Sequence, residues 1–403
     1  MKQLTDAERR LIEPIDQAAM LARTERWCAI NSGTGNLEGL ARQAGELADA
    51  FATLPGDVEL RKPGPVSSVD SAGNQIELEH GRHLVLCVRP QAQRRFLLTG
   101  HMDTVYPVDH PFQQARWLDA DRLNGPGAAD MKGGLAVMLA ALQALETAAN
   151  AASVGYDVLI NSDEETGSLS SSGLIGELAR GKAAALTYEP SALPDGTLAH
   201  ARGGSGNYSV VVTGRAAHAG RNPQDGRNAI VAASALALEL KAIEGPDITI
   251  NPAKIDGGSS NNVVPALAVL RFNIRPKTAE AAERFLGQLR HLLDNLEADH
   301  EVSTALYGGI TRPPKPVDPQ AQKLFDLVRR SGTDLGQEIG WKPSGGVCDG
   351  NNIAACGVPV VDTMGARGGA IHSPDEYLIV SSLAERAALS ALVLHRLALG
   401  ELA

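Results

Sequence analysis

The chain is short of cysteine, of single-sign charge runs and of long apolar runs, and each shortage removes a class of protein. Its four cysteines, Cys28, Cys87, Cys348 and Cys356, are scattered without CxxC spacing. That excludes a disulfide framework and a thiolate zinc site, and free thiols are expected. No long basic run is present and the net charge is −10, so nucleic acid and anionic membrane are poor partners. The first twenty residues are charged and lack the apolar core of a secretory signal. The longest largely apolar stretch, Leu135 to Leu145, is too short to span a bilayer and suits a buried helix. A cytoplasmic protein with no membrane or nucleic-acid partner is expected. Gly-x-Ser-x-Gly is missing, and no serine or cysteine has a matching histidine and acid, so no covalent acyl-enzyme is expected. Internal repeats and low-complexity tracts are also missing.

What is present is an ordinary globular balance, 43% hydrophobic and 21% charged, over 403 residues, which favours two domains. Residues 4–54 read as helices broken at Asn31-Ser-Gly-Thr-Gly. Residues 74–106 alternate like paired strands, the last ending at His101. A Gly-rich loop from Gly125 to Gly134 leads into the apolar helix from Leu135. YDVLINSDEETG is a buried strand ending in Asp163, Glu164 and Glu165, and AAALTYEP is another ending at Glu189. Three strands stopping at a histidine or acids point to an α/β sheet covered on both faces, with one site along its rim. From Ala199 the texture changes to β-α-β-β-α-β, the order of a ferredoxin-like α+β insert. The Pro-rich TRPPKPVDP marks the return. The expected organisation is a discontinuous catalytic α/β domain with a central mixed sheet, residues 1–198 and 310–403, and an inserted lid or dimerisation domain, residues 199–309.

His101 and Asp103 form HxD at a strand end, and Asp130, Glu164, Glu165, Glu189 and His372 complete a set of nitrogen and oxygen donors. Such donors suit zinc. A carboxylate can bridge two cations, and five ligands with one shared would leave each metal room for water and substrate. Each piece alone has a plain reading: a capped loop, an acidic turn, or a phosphate loop. The last is disfavoured because an acid at position 130 would repel phosphate. Together, in this order and mostly at strand ends, they are not well explained as surface residues.

The segments TGHMDTV, GPGAADMKGG, DEETGS, YEP, GRAAHAG, SSNNVVP, SGGVCDGNN and GGAIHSPDEY resemble the dizinc exopeptidase and deacylase family. That family includes carboxypeptidase G-type glutamate carboxypeptidases, acetylornithine deacetylase, succinyl-diaminopimelate desuccinylase and aminoacylase. The glutamate carboxypeptidase branch fits best, through GRAAHAG, SGGVCDGNN and Glu189. The resemblance implies two Zn2+, with Co2+ or Mn2+ also suitable. Asp130 would bridge, His101 and Glu189 would hold one ion, and Glu165 and His372 the other. Glu164 would be the general base and Asp103 would orient His101. His218 would donate to the reacting carbonyl, and Arg275 and Asn262 would contact the substrate. Arg275 favours a small N-acyl amino acid or short peptide with a free carboxylate. A homodimer is also implied. The competing readings are an N-acyl amino acid deacylase and an inactive metal-bound binding protein. Glu376 is expected to brace the His372 loop, and the loop from Ser344 to Gly350 to shape the substrate pocket. His80, His83, His110, His200, His291, His300 and His395 match no motif and are expected at the surface.

Overall fold

Successive side chains of a strand point to opposite faces, so a near-continuous apolar run buries both faces of a sheet. In the computed structural model, which describes residues 4–402, Leu84, Leu86, Val88, Phe96, Leu98, Val158 and Ile160 face one apolar layer. Their neighbours Val85, Leu97, Leu159 and Ala185 face another. Each such side chain, fully buried, is worth roughly 1.5–3 kcal/mol if large. The resulting six-stranded sheet runs Asp57–Arg61, His83–Val88, Val154–Asn161, Arg94–His101, Ala184–Thr187, Val360–Val361. The first two pairings are antiparallel and the remaining three parallel, so the sheet is mixed, as expected. On one face lie Gln17–Cys28, Leu37–Phe51, Gly133–Glu146, Pro319–Asp334 and Ser382–Leu399. On the other lie Ser172–Ala179 and Asp349–Ala355.

The parallel pairings bring the carboxyl ends of three strands to one edge. His101 lies opposite Asn161, and Thr99 opposite Thr187, their hydroxyls 2.7 Å apart. The acids two to four residues beyond those ends therefore arrive beside His101. The helix Gly133–Glu146 has no polar face, and a helix apolar all round must be enclosed. Residues Ala128–Glu146 are long and apolar enough to cross a membrane, yet 94% of that window is buried inside this unit. The helix begins against the end of the strand that carries Glu189: a Cβ on Gly134 would lie 2.1 Å from the Tyr188 carbonyl oxygen.

The chain divides into two compact units. One comprises the chain through Gly64, Glu79–Ala201 and the chain from Val317; the other comprises Pro65–Leu78 and Arg202–Pro316. The second has the antiparallel sheet Ile248–Gly257, Leu267–Pro276, Ser205–Thr213, Ser303–Arg312. The helices Ala229–Ala242 and Ala279–His300 cover one face through Leu236, Leu240, Phe285 and Leu289, against Val210, Leu270 and Phe272. The element order is the ferredoxin-like one expected. On the opposite face Val69 meets Val211 and Val269, and Arg271 donates to the carbonyls of Val69 and Asp70. This corrects the reading of residues 74–106 as one run of paired strands. Gln75–Leu78 pairs with Val66–Val69 in a hairpin of the second unit, and only the later strands enter the six-stranded sheet.

Gly134→Ala is expected to force the helix off the Glu189 strand, costing roughly 1–3 kcal/mol as overpacking does. A lowered thermal midpoint checks it; an unchanged midpoint contradicts the close approach.

Candidate metal centre

His101 ends its strand 1% exposed. Its Nδ1 lies 3.0 Å from the Asp103 backbone carbonyl. A carbonyl can only accept, so Nδ1 carries the proton and a neutral ring turns its Nε2 lone pair the other way. That nitrogen faces Asp130 Oδ1 at 3.1 Å and Glu189 Oε2 at 3.7 Å. The second oxygen of Asp130 faces a different imidazole: Oδ2 lies 3.3 Å from His372 Nε2, which in turn lies 3.1 Å from Glu165 Oε2. One buried carboxylate thus stands between two imidazole–carboxylate pairs. Glu164 joins from the side, its carboxylate within 4.8 Å of donor atoms of His101 and Glu189. His101, Asp130, Glu165, Glu189 and His372, collected from five separate stretches of chain, are brought together.

The acid turn is set from below. Asp103 accepts the backbone N–H of Glu164 at Oδ1 and of Glu165 at Oδ2, each at 3.2 Å, and the Thr34 hydroxyl at 2.7 Å. Its carboxylate is 3.4 Å from His101 Nδ1. Asp103 meets His101 Nδ1 through its main-chain carbonyl, while its side chain holds the two glutamate amides. Beneath the turn, Asp163 accepts from Ser170 N, Ser170 Oγ and Ser171 Oγ. Asp349 accepts from Ser168 Oγ and Asn161 Nδ2. His83, fully buried, places Nε2 3.3 Å from Ser170 Oγ. His83 and His395 are therefore corrected from surface to buried. The sequence marks Asp349 only as part of the Ser344–Gly350 loop and leaves His83 unmarked, because their partners are hydroxyls and an amide distant in the chain.

Glu376 is 1% exposed. Its carboxylate accepts from Ala129 N and Asp130 N at Oε1, and from Gly127 N and the Tyr106 hydroxyl at Oε2. The brace expected for the His372 loop thus grips the Asp130 segment. The His372 loop itself is tied by Asn124, which donates to the Pro374 and Glu376 carbonyls, and by Tyr106, whose one hydroxyl proton is shared between the Glu376 carboxylate and the Ser373 carbonyl 2.8 Å away. His372 adopts a left-handed backbone, φ 61°, an uncommon conformation for a side-chain-bearing residue.

The charges explain the protonation tendencies. Burial pulls His101 down, but Glu189, Asp103 and Asp130 outweigh it and hold the ring well above its ordinary value. Hydrogen bonds to Asp130 and Glu165 push His372 up to about 11. Burial, then the charge of Asp130, raises Glu165. Burial would raise Asp130 too, but the two imidazoles hold it well below the usual carboxylate range. A pocket whose carboxylates draw protons onto both imidazoles and keep Asp130 ionised is one in which positive charge is favoured. Three carboxylates and two imidazoles are hard and borderline donors, the kind zinc, cobalt and manganese accept. The donor set therefore fits a pair of divalent cations, with Asp130 placed to be shared.

The other three candidates lie in the second unit. His218 is exposed; its Nδ1 accepts the N–H groups of Gly220 and Arg221. Asn262 is exposed beside it, its carbonyl accepting from Ala219 N. Arg275 is exposed and donates through Nε to Asn273. All four cysteines are free.

A family model described as Peptidase family M20/M25/M40 matches residues 97–396. Carboxypeptidase G2 of Pseudomonas sp. (strain RS-16) is 31% identical over 397 residues, covering 96% of this chain and 91% of the relative. A succinyl-diaminopimelate desuccinylase of Psychrobacter sp. (strain PRwf-1) is 28% identical, covering 68% and 71%. A tripeptidase from Staphylococcus aureus shares the fold, with TM-score 0.72 at 24% identity, covering 95% and 99%.

Asp103→Ala is expected to leave the Glu164 and Glu165 N–H groups and the Thr34 hydroxyl without their acceptor, at a cost of roughly 1–3 kcal/mol. Denaturant unfolding of the chelator-treated protein measures it; unaltered stability would show that the carboxylate does not hold the turn.

Proposed function

The chain belongs to peptidase family M20/M25/M40 and is a hydrolytic enzyme, and from that premise we propose that it cuts amide or peptide bonds in small substrates ending in a free carboxylate, as a glutamate carboxypeptidase does. The observation that carries the proposal is Asp130 lying between His101 and His372, each with its own glutamate. We assign His101, Asp130 and Glu189 to one ion and His372, Asp130 and Glu165 to the other, zinc being the ion this donor set suits. When bound, such ions polarise a water and the scissile carbonyl, making hydroxide available near neutral pH.

The chain's own residues do the rest. Glu164 touches the cluster without being needed to complete either ligand set, which leaves its carboxylate to take the proton of the attacking water and to return it to the leaving nitrogen. Asp103 keeps that carboxylate in place by holding the Glu164 and Glu165 amides. His218 is proposed as donor to the carbonyl oxygen. Its Nδ1 accepts two backbone N–H groups, so the ring proton belongs on Nε2, where it can be given in a hydrogen bond. Arg275, with donors beyond the one spent on Asn273, and Asn262 are proposed as the substrate-carboxylate contacts. A homodimer remains part of the proposal. Similarity to carboxypeptidase G2 over nearly the whole chain supports C-terminal glutamate substrates before N-succinyl or N-acetyl amino acids.

The test is a panel of peptides and N-acyl compounds ending in glutamate, beside N-acetyl and N-succinyl amino acids, run on zinc-loaded and chelator-treated protein. Turnover of the glutamate compounds, lost on chelation and restored by zinc, is expected. Faster turnover of the acyl amino acids would move the assignment to a deacylase, and no turnover of either class would overturn it. Glu164→Gln should lower kcat about 10²–10⁴-fold with metal content unchanged; a near-normal rate would remove it as the base. His218→Ala should lower kcat about 10²–10³-fold, the scale of one lost oxyanion donor.

A further inference from the structure

We propose that Glu376 is a positioning residue for the bridging ligand: an internal carboxylate around which the Asp130 segment folds, and which fixes where both oxygens of Asp130 point. This rests on the metal-centre reading above and goes beyond it, because Glu376 is assigned there neither to an ion nor to the substrate.

The geometry is that of an anion seat filled from within. The segment from Gly127 to Asp130 is irregular. Gly127 is left-handed, φ 73°, and the next residues wind so that three N–H groups converge. Convergent backbone N–H groups make an anion-binding concavity. Its occupant is the Glu376 carboxylate, at 3.2 Å from Gly127 N, 3.0 Å from Ala129 N and 3.0 Å from Asp130 N. The Tyr106 hydroxyl supplies a fourth donor at 2.9 Å. One of these amides is that of the bridging residue itself, so any movement of Glu376 moves the root of the Asp130 side chain.

The other end of the device is equally direct. Glu376 lies four residues after His372, and Asn124 anchors its carbonyl at 2.6 Å. Tyr377 follows and pairs with Asn124 in a short antiparallel ladder. Tyr106 reaches both the Ser373 carbonyl and the Glu376 carboxylate. A single side chain therefore joins the turn that carries the bridging ligand to the turn that carries His372, across 246 positions of sequence. Asp130 Oδ2 and His372 Nε2, 3.3 Å apart, stand on the two segments it connects. A brace of this kind should show itself in metal affinity and coordination geometry, where outer partners of metal ligands typically contribute 10–100-fold.

The experiment uses the full chain with Co2+ as the probe metal. Chelator-treated wild type, Glu376→Gln, Glu376→Asp and Tyr106→Phe are compared by thermal midpoint without metal, by Co2+ affinity in competition with a chelator, and by the visible Co2+ spectrum. Gln keeps the shape but turns an N–H2 toward donors and drops the charge. The expected result is about 10–100-fold weaker Co2+ binding with a shifted spectrum. Glu376→Asp, which keeps the charge on a shorter arm, should recover part of the loss. Tyr106→Phe, which removes one donor of four, should weaken binding by a few-fold, and it tests the proposal should Glu376→Gln not fold. Wild-type affinity and spectrum in Glu376→Gln overturn the proposal, and so does unchanged affinity in Tyr106→Phe. A lowered metal-free midpoint with an unaltered spectrum and affinity in the folded fraction overturns it too, by reducing Glu376 to a structural tie. Wild type that binds no Co2+ overturns the metal-centre reading itself, before any variant is compared.

Discussion

Everything in the centre depends on one buried carboxylate facing two imidazoles in opposite directions. Asp130 gives one oxygen to His101 and the other to His372, and each imidazole has its own glutamate beyond. Such a group is costly to bury unless positive charge surrounds it. Here the positive charge is drawn from the imidazoles, and in the working enzyme it is assigned to the cations. On the proposed reading the energetic demand and the chemical use of the site coincide: a pocket short of positive charge would take up cations, and those would sharpen an electrophile.

The fold meets this demand through sheet geometry. Parallel pairing puts the ends of Arg94–His101, Val154–Asn161 and Ala184–Thr187 at one edge, so His101, the Glu164–Glu165 turn and Glu189 converge without any long loop. Asp130 arrives on the turn that opens a wholly buried helix, which can approach the Tyr188 carbonyl because Gly134 has no side chain. His372 is the exception, reaching in from an exposed loop on a left-handed backbone. Carboxylates of the protein interior, Asp103 and Glu376, hold the Glu164–Glu165 turn and the Asp130 segment in place, while the His372 loop is tied by Tyr106 and Asn124.

Much of this is legible in the amino-acid order, and the reason is local. A buried strand that stops at, or a few residues before, a histidine or acid places a candidate ligand by position alone; His101, Glu165 and Glu189 are of this kind. The ferredoxin-like element order of the second unit follows from period-two and period-3.6 patterns that need no tertiary information. What escapes is what depends on backbone amides, which every residue carries alike. Glu376 sits beside His372 in HSPDEY and so suggests a brace for that loop, but its carboxylate accepts the N–H groups of Gly127, Ala129 and Asp130. His83 begins an apolar strand and suggests a surface position, yet Ser162 and Ser170, on either side of the acid turn, close over it. The segment Gln75–Leu78 has the alternation of a sheet strand but nothing in it to say which sheet; pairing partners are chosen by contacts far along the chain.

Crystals of the zinc-loaded protein, measured on both sides of the zinc absorption edge, give the most direct view of the central claim. The account predicts two anomalous peaks flanking Asp130, one bounded by His101 and Glu189 and the other by His372 and Glu165. A single peak that leaves either imidazole unliganded, or zinc bound away from Asp130, would contradict it.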